Sequence, residues 1–347
     1  MKKIWIDPDL IENKSGIGRD AQLMLNWIGN TFDAEILEWP TGFRLRARMR
    51  RKLISLFRVL FGASIHLPNS YRGAFYQSQL GPLLPGKGID IWLVRLHDLF
   101  PATNPEWFHW WSIRIFNKSL DLAIARNAIF LCDSISTKLE MNQLYPNRMI
   151  NSYVIPCQLP TMNLAKCGNC HACNKLYELE KEDYVLSVGT VEPRKNYLFA
   201  LNAWKDFKFK KESRLNLIIV GRPGWKTRKL QKQLKNAGTS GVIWLPDCCD
   251  GSLDLLYKKS RAFISFSLAE GFDLPAMEAR QKYQIPLILS DISVHREFHD
   301  DAAHFFKSTL ELKRILEGPL RQTSISQYSV TSHKSLQELN IYLNSTL

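Results

Sequence analysis

The sequence predicts an α/β protein with two doubly wound domains that face a central cleft. Two observations lead to this prediction. Short apolar runs alternate with helix-like stretches along both halves of the chain, and such units form parallel sheets covered by helices. The length of 347 residues suits two domains. Hydrophobic and charged contents of 45% and 23% are ordinary for a globular protein.

The predicted elements alternate along the chain, with a linker near residues 157–180. Apolar, aromatic and β-branched runs predict strands, and capping signals with helical periodicity predict helices. We expect strands at 4–7, 34–39, 90–96, 128–132, 152–155, 184–188, 215–220, 242–245, 262–266, 286–289 and 303–305. We expect helices at 19–30, 107–124, 135–144, 197–206, 227–236, 252–260, 275–283 and 294–298.

The formal net charge of +13 bears on partners rather than on the fold. Many of the basic residues lie in 44–52, and an apolar stretch follows at 53–61. This order is typical of a helix that lies on an anionic membrane surface, although a domain helix with a solvated basic face gives the same pattern. Nucleic-acid binding is the weaker alternative, because no nucleic-acid motif accompanies the charge.

The sequence contains no segment typical of a signal peptide or a membrane span. Residues 1–7 pass directly into a strand-like segment with an acid, and no run reaches the ~20 apolar residues that a transmembrane helix needs. We therefore expect a cytoplasmic protein, peripheral on the cytoplasmic face of the inner membrane. Its seven cysteines are then expected to be reduced.

Two acids follow the apolar run at 262–267, which predicts a buried strand. Glu270 lies on the loop after this strand, and Pro275 is placed as the first residue of a helix whose first turn holds Glu278. Open α/β sheets bind ligands at the carboxyl ends of their strands, and carboxylates there accept hydrogen bonds from sugar or ribose hydroxyls. The alternative for Glu278 is an acid that only favours the helix dipole.

Two cations follow another predicted strand in the same half of the chain. The strand ends at Gly189, and Arg194 and Lys195 lie on the loop before the next helix. Adjacent cations near a helix amino end suit a diphosphate, whereas an isolated Arg-Lys pair is usually a solvated loop. The position of this pair ahead of the two acids favours the diphosphate.

The run from Ser267 to Ala279 resembles the signature Ser-x-x-Glu-Gly-Phe-Gly-Leu-Pro-x-x-Glu-Ala of retaining glycosyltransferases of family 4, also called group 1. The loop with the context Gly-x-x-x-Pro-Arg-Lys-Asn is similar to theirs. The chain departs from the family at Asp273 and Gln284, where a glycine is usual. Asp tolerates left-handed backbone, but its negative charge near a donor sugar has no explanation in the sequence.

The resemblance implies a GT-B fold. It implies Rossmann-like domains at 1–176 on the acceptor side and at 177–328 on the nucleotide-sugar side. It also implies that residues 329–347 form a helix that returns to the first domain.

The resemblance also implies roles for individual residues. Arg194 and Lys195 would stabilise the departing diphosphate without a metal ion, Glu270 would contact the donor sugar, and Glu278 would bind the ribose hydroxyls. From the same motifs we predict further donor contacts at Gly189, Gly271, Phe272, Asp273, Leu274 and Arg222.

The first predicted domain carries weaker signals. Gly16, Gly18 and Arg19 follow the first strand and open a helix, and glycines there let a phosphate approach the backbone. A single Gly-x-Gly is not a dinucleotide fingerprint, but this run resembles the Gly-Ile-Gly-Arg element of mannosyltransferase-like members. His97 ends another strand-like run, and the resemblance implies that it points towards the donor sugar. A structural histidine is the alternative.

Three cysteines, Cys167, Cys170 and Cys173, form an unusual cluster with His171, and Cys157 lies upstream. Zinc requires four ligands, and an iron–sulfur cluster also requires a fourth thiolate. One expectation is a structural metal at the cluster. The other is a set of reduced surface thiols in an interdomain linker.

Together these signals predict a retaining hexosyltransferase that needs no cofactor. GDP-mannose is the preferred donor, because the Gly-Ile-Gly-Arg, His-Asp and Pro-Arg-Lys-Asn elements together look most like mannosyltransferases, and a UDP-sugar is the alternative. The preferred acceptor is a lipid-linked saccharide in surface polysaccharide or lipopolysaccharide O-antigen synthesis. A GT-B-fold nucleotide-sugar epimerase and a non-catalytic membrane-associated partner subunit are the competing hypotheses.

Overall fold

Two six-stranded parallel sheets organise the chain, one in each of two units. The computed structural model describes residues 3–7, 16–37, 65–80, 83–159, 170, 172, 175, 183–211, 215–324 and 328–346. The first unit comprises Met1–Pro160 with Ser329–Leu347, and the second comprises Thr161–Tyr328. The predicted fold class, two α/β domains with parallel sheets, is confirmed. The predicted boundary at residue 176 falls outside the described residues and stays a prediction.

The first unit alternates strands and helices over its first 160 residues. Its elements are β1 (Ile4–Ile6), α1 (Gly16–Thr31), β2 (Ala34–Ile36), β3 (Ile65–His66), β4 (Gly73–Gln77), β5 (Leu83–Leu84), β6 (Ile89–Leu96), α2 (Phe100–Thr103), a 3₁₀ turn (Pro105–Trp107), α3 (Trp110–Ala125), β7 (Ile129–Cys132), α4 (Ile135–Leu144) and β8 (Ser152–Val154). The sheet order is β2-β1-β4-β6-β7-β8, and β3 pairs with β5 in a separate two-stranded ribbon.

The central strand β4 is absent from the sequence prediction. All five of its residues are buried, so it lacks the alternation of apolar and polar residues that marks a half-exposed strand. Gly73 begins β4 at a φ of 103°. A Cβ at this position would lie 2.3 Å from the carbonyl oxygen of Lys3, so glycine allows β4 to approach β1 closely.

The second unit has a more regular alternation. Its elements are β9 (Tyr184–Val188), a 3₁₀ turn (Pro193–Lys195), α5 (Tyr197–Lys211), β10 (Asn216–Val220), α6 (Arg228–Lys235), a 3₁₀ turn (Gly238–Ser240), β11 (Val242–Leu245), α7 (Asp250–Lys259), β12 (Ala262–Ser265), α8 (Leu274–Glu278) with a following π turn (Ala279–Tyr283), β13 (Leu287–Ser290), α9 (Ser293–His299), β14 (Ala303–Phe306) and α10 (Thr309–Glu317). The last helix of the chain is α11 (Tyr328–Thr346).

The second sheet has the order β11-β10-β9-β12-β13-β14. The chain therefore builds outwards in one direction from β9 through β10 and in the other from β12. The reversal between β9 and β12 is the topological switch point, where open α/β sheets bind ligands at the carboxyl ends of their strands.

Apolar packing on both faces holds each sheet. In the second unit, Val185 and Leu217 face one cluster with Trp204 of α5, whereas Leu186 and Ile218 face another that includes residues of α7 and α8. The pleat places neighbouring residues on opposite faces, so strands buried on both sides are nearly continuous in hydrophobic residues. The last helix packs three leucines into a core of the first unit: Leu336, Leu339 and Leu343.

The predicted basic amphipathic segment, residues 44–61, lies outside the described residues. Within the part of the chain that the structure describes, no helix combines the length and apolarity needed to cross a bilayer.

Candidate functional site

The second unit gathers charged side chains at its switch point. Arg194 and Lys195 lie on the 3₁₀ turn that follows β9, and Glu270 and Asp273 lie on the loop that follows β12. The main chain joins the two loops, because the Leu268 N–H donates to the Arg194 carbonyl at 2.9 Å. This contact holds Arg194 and Glu270, which are 76 positions apart in sequence, at the same edge of the sheet.

Glu270 is the centre of this charge cluster. Its carboxylate pairs with the Arg194 guanidinium and with Lys195 Nζ, the latter at 2.7 Å. The Ser267 hydroxyl also donates to Oε1 at 2.6 Å. Arg194 in turn pairs with Glu192 at 2.7 Å. The structure therefore brings three of the predicted site residues, Arg194, Lys195 and Glu270, into contact at this pair of loops.

Asp273 belongs to the same charge cluster. It adopts a left-handed conformation with a φ of 60° at the start of α8, which Asp tolerates better than most residues. Its Oδ1 lies 3.3 Å from Lys195 Nζ, and its Oδ2 lies 2.9 Å from the Ser265 hydroxyl and 2.9 Å from His295 Nε2. The charge that the sequence leaves unexplained thus has three polar partners.

Electrostatic interactions keep both Lys195 and Asp273 charged. Burial opposes the charge on Lys195, but Asp273 and Glu270 overcome it and raise the lysine pKa well above its ordinary value. Burial likewise opposes the charge on Asp273, and Lys195 and His295 overcome it and lower the pKa of that carboxyl well below its usual range. The site is therefore a buried network of fixed charges.

The absence of a side chain at Gly189 leaves space for the side chain of Lys195. A Cβ at residue 189 would lie 2.8 Å from Lys195 Cε, so the lysine side chain crosses directly over the glycine backbone. The predicted importance of Gly189 thus has a steric basis that concerns Lys195 as well as any ligand.

Glu278 lies on α8 and is buried. It is the fifth residue of a helix that begins at Leu274, so the prediction that Pro275 starts the helix and that Glu278 lies in its first turn is wrong. Asp273 occupies the N-cap, which moves the start one residue earlier. The Tyr257 hydroxyl lies 3.2 Å from Glu278 Oε2. Burial is the largest cause of the raised pKa of Tyr257, and the negative charges of Glu278 and Asp273 raise it further.

The remaining predicted donor residues of this unit have varied surroundings. Phe272 is buried and packs edge-to-face against Phe298, with ring centroids 4.8 Å apart. Gly271 is buried and Leu274 is half-buried at the start of α8. Arg222 is exposed after β10, and its carbonyl accepts the Val191 N–H at 2.9 Å.

The first unit holds His97 at the end of β6. Its Nδ1 lies 2.8 Å from Asp133 Oδ2, and its Nε2 lies 3.1 Å from the Ser78 carbonyl. Both ring nitrogens thus face acceptors, which an imidazolium satisfies and a neutral ring does not. Burial would lower the pKa of His97, but the Asp133 carboxylate outweighs it and the pKa is raised.

A buried arginine lies behind His97 and was not predicted. Arg95 Nε donates to Asp20 at 2.9 Å, and its Nη2 lies 3.1 Å from Asp133. The Cys157 thiol donates to Asp133 at 3.1 Å, and burial raises the pKa of that thiol well above its usual value. The Arg95 guanidinium is therefore one cation of this cluster, beside the His97 ring on the same carboxylate. A charged residue within the apolar run of β6 was the sequence signal, because such a charge needs buried partners.

The glycine-rich run of the first unit begins a helix, as predicted. Gly16 is the first residue of α1, Gly18 is buried within it, and Arg19 follows in the same turn. The next residue, Asp20, is the partner of Arg95. His97 and this run belong to the first unit, whereas Arg194 and Glu270 belong to the second.

Several polar residues of these sites were not predicted. They end or follow strands or lie in the first turn of the helix after one, and that position is the signal that could have identified them. They are Ser78, Asp133, Glu192, Ser265 and His295.

The predicted cysteine cluster is described only in part. Cys170 is 6% exposed and belongs to the apolar cluster that contains Tyr184 and Leu256. The expectation of surface thiols is therefore wrong for Cys170. Cys167 and Cys173 lie outside the described residues, so the structural metal stays a prediction.

Most of the second unit is similar to a known protein family. Residues 174–311 match the model of the family described as glycosyl transferases group 1. This match covers the loops of both Arg194 and Glu270, so the region that holds the charge cluster is similar to group 1 glycosyltransferases.

Curated relatives match more than half of the chain. The chain is 37% identical over 223 residues to serotype-specific mannosyltransferase WbdA of Escherichia coli. The aligned region covers 61% of this chain and 27% of that protein. The chain is 29% identical over 267 residues to O-antigen chain mannosyltransferase B of Escherichia coli, covering 75% of this chain and 68% of that protein. The chain thus spans about a quarter of the length of the WbdA proteins that it matches.

Solved structures share the fold over nearly the whole chain. WaaG, a glycosyltransferase involved in lipopolysaccharide biosynthesis, has a TM-score of 0.59 at 12% identity and covers 99% of this chain and 95% of its own. Sucrose-phosphate synthase from Thermosynechococcus elongatus has a TM-score of 0.60 at 13% identity and covers 91% and 89%. These neighbours support the GT-B fold class.

Proposed function

We propose that the chain is a retaining hexosyltransferase that transfers mannose from GDP-mannose to a lipid-linked saccharide during O-antigen assembly. The observation that carries the proposal is the pairing of Arg194 and Lys195 with Glu270 at the switch point of the group 1 domain. The mannosyltransferase and O-antigen names of several relatives support the choice of sugar and pathway.

The paired charges explain how the site would accept a donor. Glu192 and Glu270 neutralise Arg194 and Lys195. This pairing avoids the free-energy cost of two unpaired cations at a buried site. A donor diphosphate would take over their hydrogen bonds and place the Glu270 carboxylate beside the sugar. As the bond between the anomeric carbon and the phosphate oxygen breaks, the two cations stabilise the negative charge on the leaving group. Glu270 stabilises positive charge at the sugar.

Retention would follow from attack on the same face that the leaving group departs from. The acceptor oxygen forms the new bond to the anomeric carbon, and its proton passes to the departing phosphate. Neither Glu270 nor Glu278 acts as a nucleophile in this scheme, and Glu278 holds the ribose hydroxyls. NMR of the product's anomeric proton and carbon tests the stereochemistry directly.

The first experiment identifies the nucleotide. A thermal-shift panel of GDP, UDP, ADP and dTDP should show stabilisation by GDP, because a ligand that binds only the folded state raises its stability. Arg194→Ala and Lys195→Ala should each reduce the shift, and Lys229→Ala, which removes an exposed cation on α6, should leave it unchanged. Stabilisation by UDP alone would replace GDP-mannose with a UDP-sugar donor.

The second experiment separates catalysis from binding. Glu270→Ala should lower mannose transfer at least ~100-fold, the scale of losing a transition-state contact, while GDP still shifts the melting temperature. Near-normal transfer by Glu270→Ala would contradict the assignment. Donor conversion that needs no acceptor would indicate an epimerase, and nucleotide binding with no turnover in the unmodified protein would indicate a non-catalytic subunit.

We also propose that residues 44–61 hold the protein on the cytoplasmic face of the inner membrane. The support is the order of basic and apolar residues in the sequence. Cosedimentation with anionic vesicles should exceed that with neutral vesicles and fall as salt rises. Equal binding to both vesicle types would contradict the electrostatic part of the proposal.

A further inference from the structure

Lys195 closes a ring of buried polar side chains with two carboxylates and two hydroxyls. Its ammonium lies 2.7 Å from Glu270 Oε1 and 3.3 Å from Asp273 Oδ1. The Ser267 hydroxyl donates to Glu270 at 2.6 Å, and the Ser265 hydroxyl lies 2.9 Å from Asp273 Oδ2. The two hydroxyl oxygens are 3.2 Å apart. This polar ring ties both carboxylates to one ammonium.

The two carboxylates of the polar ring differ in their access to a ligand. Glu270 also pairs with Arg194, whose side chain is 19% exposed. The side chain of Asp273 has no exposed surface. A donor diphosphate can therefore reach the ion pair of Glu270 and displace it, whereas Asp273 stays behind Lys195.

His295 fixes Asp273 from the side opposite the lysine contact. Its Nε2 faces Asp273 Oδ2, and its Nδ1 lies 2.8 Å from the Ser290 carbonyl at the end of β13. The Ser290 hydroxyl donates to the Ser267 carbonyl at 2.6 Å, which connects this support to the loop of Glu270. Supporting hydrogen bonds of this kind hold a side chain in one rotamer. The orientation of the Asp273 carboxylate is therefore set by β12, β13 and α9 together.

The backbone of Asp273 is a second observation that points to a task for its side chain. The residue is left-handed, with a φ of 60°, a conformation that any side chain makes less favourable than glycine does. Unfavourable backbone conformations persist where the surrounding structure requires them, and they are common at functional sites.

We propose that Asp273 is a positioning residue for donor binding: it holds the Lys195 ammonium towards the diphosphate after Glu270 has turned to the sugar. This inference rests on the proposed function. An ammonium carries three N–H donors, and among the described residues Glu270 and Asp273 face two of them. Departure of Glu270 leaves two donors for phosphate oxygens and one for Asp273.

A permanent partner for Lys195 also favours binding through conformational entropy. A free lysine side chain populates many rotamers, and ordering it costs free energy. Asp273 orders the lysine before the donor arrives, so the diphosphate meets a cation that is already in place.

The test is a double-mutant cycle of Asp273→Asn and Lys195→Ala in the full chain. Isothermal titration measures the affinity for GDP, or for the nucleoside diphosphate that stabilises the unmodified protein in the thermal-shift panel. Asp273→Asn should weaken binding roughly tenfold. In the Lys195→Ala background the same substitution should change the affinity by less than about twofold, because the residue that Asp273 positions is gone.

Two controls separate positioning from a loss of structure. The matching nucleoside lacks the diphosphate and should bind Asp273→Asn and the unmodified protein equally, measured by ligand-observed NMR. Asp254→Asn removes another buried carboxylate of the second unit, which pairs with Lys258 and accepts from Tyr283. This matched variant should keep its affinity for the diphosphate.

Ser265→Ala covers the case in which Asp273→Asn does not fold. It removes one hydrogen bond to the carboxylate and retains the charge, so it should weaken diphosphate binding by roughly threefold and only when Lys195 is present.

Three results would count against the proposal. Equal losses from Asp273→Asn with and without Lys195 would overturn the positioning role, and so would equal losses of nucleoside and diphosphate affinity. Unmodified protein that binds none of the four nucleoside diphosphates would overturn the proposed function and this role with it. Binding by the unmodified protein with an additive cycle would overturn the positioning role alone.

Discussion

His295 Nε2 lies 2.9 Å from Asp273 Oδ2, and neither side chain is exposed. The other oxygen of Asp273 faces Lys195. Asp273 therefore connects α9 to the lysine that we propose for diphosphate binding. Where related transferases usually have a glycine, this chain has a carboxylate that positions a cation.

The first prediction concerns the loss of that carboxylate. Asp273→Gly relieves a left-handed conformation, which is favourable by about 1 kcal/mol, but it removes one of the two buried carboxylates that face Lys195 and the only carboxylate that His295 Nε2 contacts among the described residues, which costs about 3 kcal/mol. The net result should be a lower free energy of unfolding, measured by urea denaturation. Asp273→Asn keeps the side-chain size and should also be destabilised. A Gly variant as stable as the unmodified protein would show that the buried charge contributes nothing.

The second departure from the family should behave in the opposite way. Gln284 is left-handed, with a φ of 52°, and exposed. Replacing this neutral, exposed side chain therefore leaves no buried charge without a partner. Gln284→Gly should raise the free energy of unfolding by up to ~1 kcal/mol, because the backbone strain disappears. Denaturation under the conditions used for Asp273→Gly provides the measurement, and a clear destabilisation would be the contrary result.

A third prediction uses two glycines of the second unit. Gly189→Ala places a methyl group 2.8 Å from Lys195 Cε and should displace the lysine. We expect nucleotide affinity to fall roughly tenfold, the equivalent of ~1.4 kcal/mol, by isothermal titration. Gly238→Ala is the control, since a Cβ there meets nothing within 4 Å. Equal affinities for the two variants would refute a role of Gly189 in placing Lys195.

A fourth prediction tests the partner of His97. The Asp133 carboxylate raises the pKa of His97 against the effect of burial, so Asp133→Asn should lower it. NMR titration of the imidazole protons measures the pKa, and His97→Gln assigns the signal among the eight histidines. An unchanged pKa in Asp133→Asn would mean that other charges control the ring.

A fifth prediction concerns acid stability. Burial lowers the pKa of His299 to about 3, and neither ring nitrogen has a hydrogen-bond partner among the described residues. The unfolded chain binds a proton near pH 6.5, so the folded state binds fewer protons between pH 6.5 and 3. Stability should therefore fall as pH decreases through this window.

His299→Leu removes that titration. Its free energy of unfolding should change less between pH 7 and pH 5 than that of the unmodified protein, measured by urea denaturation at each pH. Parallel pH dependence in the two proteins would assign the acid sensitivity to other groups.

The sequence alone determined the alternation of strands and helices in the second unit and the chemical character of its loops. Strands such as β9 and β11 have their predicted bounds, because their apolar runs are bounded by turn residues. The motifs of Arg194, Lys195 and Glu270 were also visible, because each follows a predicted strand in a context that resembles a glycosyltransferase signature. The fully buried β4 was missed, since uniform burial removes the pattern on which strand prediction depends.

Only the tertiary structure decided which charges face one another. Asp273, His295 and Lys195 come from three separate loops and helices, and hydrogen bonds form between atoms a few ångströms apart irrespective of their separation in sequence. The same holds for Arg95 with Asp20. Local preferences set each element, but long-range packing sets the distances on which charge pairing depends.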